Sequence, residues 1–89
     1  MTAETITQLV ASLQVNGGWV ELPENPTYKA AEIENLPDEG FTWSLSKKSY
    51  GWDYPTDSKG LVKYFKTEKG AKRDLITALC RSVLKQQTR

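Results

Sequence analysis

Histidine is absent from this chain of 89 residues, and cysteine occurs once, at Cys80. Without an imidazole there is no Ser-His or Cys-His pair and none of the common His-containing zinc sites, and one thiol cannot build a thiolate site. A lone cysteine cannot close an internal disulfide either, so a stapled secreted scaffold is excluded and a reducing, cytoplasmic setting is expected. No apolar run approaches membrane-spanning length, and the stretch from Met1 to Val10 contains Glu4 and lacks a basic start. Neither a membrane span nor a signal peptide is expected. Repeats, low-complexity tracts, a GxxxxGK[ST] phosphate loop, a calcium loop and a two-carboxylate glycosidase pattern are missing as well. These gaps predict a binding protein, not an enzyme, with no metal and no cofactor.

What is present suits one small folded unit over residues 1–89. With 38% apolar and 26% charged residues, plus three Trp, four Tyr and two Phe, the chain has the side chains for a single core and too few for two. Its charges are sorted by position. Residues 1–45 hold seven acids and one base, and residues 46–89 hold eleven bases and four acids, so a total of +1 conceals halves of −6 and +7. Clustered cations raise the local potential whatever the net charge, which points to a polyanion-binding face.

Ile6, Leu9, Val10 and Leu13 recur at helical spacing, which predicts a first helix capped by Thr2 and stopped at Asn16-Gly17-Gly18. Trp19 to Leu22 reads as an edge strand. The stretch Thr27 to Leu36 has both a helix-start signal, Asn25-Pro26, and the alternation of a strand, and the strand is the favoured reading. Phe41, Trp43 and Leu45 alternate beyond the Pro37-Asp38-Glu39-Gly40 turn. Tyr50, Trp52 and Tyr54 do so again after Lys47-Lys48-Ser49, and Leu61 to Lys66 predicts a further strand. Thr67 is placed to cap a last helix over residues 68–86. Its stripe of Ala71, Leu75, Leu79 and Val83, widened by Ile76 and Cys80, would bury on the sheet. Arg73, Thr77, Arg81 and Lys85 would then face outward. The expected fold class is α+β: an N-terminal helix, a three- or four-stranded antiparallel sheet, and a C-terminal helix packed on one sheet face.

Between Lys47 and Arg73, eight Lys or Arg are interleaved with Tyr50, Trp52, Tyr54, Tyr64 and Phe65. Lysine and arginine neutralise phosphates, and exposed rings stack on unpaired bases for about 1–3 kcal/mol each. Lys47, Lys48, Tyr50, Trp52, Lys63, Lys66, Lys69, Lys72 and Arg73 are therefore the candidate nucleic-acid contacts. Equally, alternating aromatics often face a core and scattered lysines are often plain surface.

The run Pro26-Thr27-Tyr28, then Pro37 and Phe41, then Thr67-Glu68-Lys69-Gly70-Ala71-Lys72, resembles the spacing of a double-stranded RNA-binding domain. That resemblance implies an α-β-β-β-α order, with Lys69, Lys72 and Arg73 on duplex phosphates. The chain departs from the family at Glu68, where the family has lysine, in lacking a loop histidine, and in its Trp-rich middle. It is not assigned to that family.

A second class of function fits the same residues: a small regulator, accessory subunit or inhibitor of the kind often encoded by phages or plasmids, docking onto a protein partner. Tryptophans are enriched at interface hot spots, which nominates Trp19 and Trp52. The acids Glu32, Glu34, Asp38 and Glu39 would then face a basic partner. Opposed acidic and basic faces also permit head-to-tail self-association.

Overall fold

The structure, a computed structural model, describes residues 2–87. Helix α1 spans Ala3–Ser12, and the Thr2 hydroxyl accepts the Thr5 amide at 3.2 Å, as the capping signal predicts. Ile6 and Val10 on its inner stripe are buried, and so is Leu13 just beyond its end. The helix stops at Ser12, short of the expected Asn16-Gly17-Gly18 boundary, because Leu13 turns extended (φ −64°, ψ 134°). That early exit lets Leu13 drop into the core and brings Asn16, in the left-handed region at φ 58°, against the sheet. Asn16 donates its amide to the Ile33 carbonyl at 2.8 Å, and its side-chain oxygen accepts the Asn35 amide at 3.0 Å.

Strands β1 (Val20–Glu21), β2 (Tyr28–Leu36), β3 (Gly40–Lys47) and β4 (Trp52–Asp53) form one antiparallel sheet in chain order. The strand reading of Thr27 to Leu36 therefore holds, and so does that of the Trp19 to Leu22 edge. Glycine is required at position 40: φ is +118°, and a Cβ there would lie 2.6 Å from the Phe65 carbonyl oxygen. Ala31 pairs with Leu45 and Ile33 with Trp43, which puts these four apolar side chains on one face. A bulge between Tyr28 and Ala30 shifts the register by one, so Tyr28 pairs with Lys47 and moves to that same face.

Two expected strands come out differently. The Tyr50–Tyr54 segment contributes only Trp52–Asp53, since Gly51 turns at φ +80° and Pro55 has no amide to donate. Leu61 to Lys66 is no strand. The Asp57 carboxylate accepts the amides of Lys59 (2.8 Å) and Leu61 (3.0 Å), folding the segment back so that the Lys63 amide bonds the Pro55 carbonyl at 2.8 Å. Only the isolated bridges Thr56 to Val62 and Phe41 to Phe65 remain.

Helix α2 spans Glu68–Gln87, with the Thr67 hydroxyl accepting the Gly70 amide at 3.0 Å. Ala71, Leu75 and Leu79 are fully buried, with Ile76, Cys80 and Val83 beside them, as the four-residue stripe predicts. The Trp43 indole lies under this helix and donates to the Asp74 carboxylate at 2.9 Å. Helix α1 packs along α2, so both helices lie on the Ala31–Ile33–Trp43–Leu45 face. The architecture is α+β, with the four-stranded outcome. No described helix is long and apolar enough to cross a membrane.

Asn25 closes the far end of this core. It is completely buried, accepts the amides of Thr27 (2.9 Å) and Tyr28 (2.8 Å), and donates to the Ser82 hydroxyl at 3.3 Å. Ser82 in turn donates to the Leu79 carbonyl at 2.8 Å. Removing this amide strands two backbone donors in the interior, and each unsatisfied donor costs about 1–3 kcal/mol. Asn25→Ala is expected to lower unfolding free energy by about 3 kcal/mol in urea denaturation, without changing the slope of the transition.

Candidate functional site

The face of the sheet turned away from the helices has no helix over it. Across that face Glu21, Ala30, Ser46 and Trp52 align in one row, one residue from each strand. The middle of the row is small and the end is large: Trp52 is 63% exposed, and Trp19, two residues before Glu21, is 49% exposed. Trp19, Glu21, Ala30 and Ser46 line a shallow groove of about 690 Å³, with Lys29 and Lys48 on its border. Farther along, Glu32 pairs with Ser44 and Glu34 with Thr42, so both carboxylates share this face. Partial burial first, and then the charge and hydrogen bonding of Glu34, hold the Glu32 carboxyl above the ordinary glutamate range.

A strand of two residues needs an anchor, and Asp53 supplies it. Its carboxylate accepts the Tyr28 hydroxyl at 2.5 Å and pairs with the Lys47 ammonium at 3.3 Å, on the helix side of the sheet. Burial, then the bond to Asp53 and its negative charge, push the Tyr28 hydroxyl well above the usual tyrosine range, so it stays a donor. With Asp53 held below, alternation sends its neighbour Trp52 to the open side.

Basic residues gather on the other side of the molecule. Lys69, Arg73 and Arg81 are exposed along α2, at the one-turn spacing that includes Thr77. Between α1 and α2 lies a groove of about 510 Å³, floored by Val10, Ala11 and Ile76 and rimmed by Glu68, Lys69, Lys72 and Arg73. On the opposite flank of α2, Lys63 and Arg81 border a groove of about 290 Å³, together with Tyr54 and Asp74. Lys66, also exposed, stands just ahead of the helix.

The nine candidate nucleic-acid contacts thus fall into two groups. Lys63, Lys66, Lys69, Lys72 and Arg73 sit on or beside α2. Lys48 and Trp52 border or lie on the open sheet face, Tyr50 projects from the turn before β4 at 92% exposure, and Lys47 is tied to Asp53. Lys72 is engaged too, pairing with Glu68 at 2.9 Å and donating to the Ala11 carbonyl at 3.2 Å. Among the residues proposed for a protein interface, Trp19, Trp52, Glu32 and Glu34 share the open face, while exposed Asp38 and Glu39 form the β2–β3 turn beyond it. Arg81 was visible in the sequence as part of an outward row but not as the partner of Lys63 across a groove. The side chain of Lys85, the next in that row, lies outside the described residues. No group of three or more His, Cys, Asp or Glu able to hold a metal occurs among the described residues. No family model, no curated protein and no solved structure matches the chain.

Ionised Glu32 opposes folding because its carboxyl is raised in the native state. The associated stability is complete below the ordinary value of 4.5 and is lost as pH rises through the raised native value. Glu32→Gln is expected to melt at a higher temperature than the parent at neutral pH and to lose that advantage under acid conditions, read by thermal scans across pH.

Proposed function

We propose that the chain is a nucleic-acid-binding module that engages the phosphate backbone through the outer face of α2. The observation that carries this reading is the row of exposed Lys69, Arg73 and Arg81, flanked by Lys63 and Lys66, with both acids of α2 already engaged, Glu68 by Lys72 and Asp74 by the Trp43 indole. From Lys69 to Arg81 the helix rises about 18 Å, enough to follow several successive phosphates. The resemblance of the α2 start to a duplex-RNA-binding element supports the same surface. Trp52 stands on the sheet face away from α2, so base stacking on it is not part of this mode, and duplex is bound at least as well as single strand. Tyr54, 41% exposed, lines a groove with Lys63 and Arg81, and the Lys63 ammonium lies 5.2 Å from the centre of the Phe65 ring.

Five cations each neutralising one phosphate give a slope of log affinity against log salt of about −4.5 on duplex. Fluorescence anisotropy with labelled duplex and single-stranded oligonucleotides measures it. The Lys69→Ala, Arg73→Ala, Arg81→Ala triple variant is expected to abolish binding, and Trp52→Ala to leave it unchanged. Failure of the parent protein to bind either oligonucleotide at low salt ends the proposal.

A further inference from the structure

The open sheet face carries charge opposite to that of the α2 ridge, and both belong to one molecule. We infer that a second copy of this chain seats on the open face, with the Arg73–Arg81 ridge of one molecule laid against the Trp52, Glu32 and Glu34 surface of the next. This association does not rest on the nucleic-acid reading, but it uses the same ridge, so a second copy and a nucleic acid compete for Arg73 and Arg81.

The chemistry matches group by group. Arginine is the cation best suited to stack on a tryptophan ring and to bridge carboxylates through its planar fork. The open face presents an exposed indole at Trp52 on β4 and, two strands away on β2, two carboxylates whose mutual repulsion a guanidinium would relieve. Small side chains at Ala30, Ser44 and Ser46 leave the strands between these groups low enough for a helix to approach. Lys29 and Lys48 repel the ridge from the Trp19 end, so it settles toward Glu32, Glu34 and the acidic β2–β3 turn.

Charge also dictates the symmetry. Two acidic sheet faces repel each other, as do two basic ridges, which disfavours a twofold pair built from either surface. The complementary contact is heterologous, so a pair keeps one unused sheet face and one unused ridge, and the assembly continues head to tail.

Sedimentation equilibrium at low and high salt tests this. The expected result is an average mass that climbs with concentration at low salt, passes twice the monomer mass, and returns to the monomer when salt is raised. A constant monomer mass at low salt, or a mass that stops at the dimer, overturns the inference. Two complementary variants give a sharper reading. Glu32→Gln with Glu34→Gln disables the sheet face, and Arg73→Ala with Arg81→Ala disables the ridge. Each alone should be monomeric, and mixed together they should form a 1:1 complex that grows no further. Absence of that complex refutes the head-to-tail contact. Trp52→Ala should weaken association about tenfold or more, and unchanged association overturns the placement of the ring. The sheet-face variant touches none of the proposed phosphate contacts, so its oligonucleotide affinity reports separately on the nucleic-acid reading.

Discussion

One layer of helix covers one face of a sheet, and this chain has only one layer. Every large buried side chain of β2 and β3 that meets the helices, from Ala31 and Ile33 to Trp43 and Leu45, lies on a single face. Leu75 and Leu79 of α2 and Ile6 and Val10 of α1 fill the space above it. Apolar burial at roughly 25 cal/mol per Å² makes this seam the principal source of stability, and it fixes where everything else can go. The remaining sheet face must hold residues that tolerate water, while the back of α2 must be polar. The two surfaces available for recognition are therefore set by the packing of the core.

Much of this was legible in the sequence because it rests on periodicity. The spacing of Ala71, Leu75 and Leu79 announced α2, and Phe41, Trp43 and Leu45 announced β3. Thr2 and Thr67 marked both helix starts by local side-chain chemistry. What escaped was decided by tertiary contacts. The end of α1 at Ser12 depends on Asn16 reaching β2, a partner 17 residues away from Asn16 in the chain at Ile33. The loss of the Leu61–Lys66 strand follows from the Asp57 carboxylate capturing two amides, which alternation alone does not reveal. The bulge at Tyr28 is invisible in a pattern of apolar and polar residues, yet it delivers the Tyr28 hydroxyl to Asp53.

The candidate site was legible in composition and less so in arrangement. The division of charge along the chain reappears in space, because β2 supplies the acids of the open face and α2 supplies the cations of the opposite surface. The interleaving of Lys47 to Arg73 with aromatic residues suggested one surface where there are two. Lys63 to Arg73 lead into α2, whereas Trp52 follows the alternation of β4 to the far side of the sheet. Tyr28, Lys47 and Asp53 gave no signal as a group, since they come from three strands and meet only through the register.

Asn16 has a wider role than ending a helix. By matching its own amide and carboxamide to Ile33 and Asn35, it occupies the hydrogen-bonding positions that the short β1 leaves open along β2. A single left-handed asparagine thereby stands in for the missing half of a neighbouring strand. Recruitment of a foreign β-segment onto this margin, the usual first step of runaway cross-β growth, is blocked.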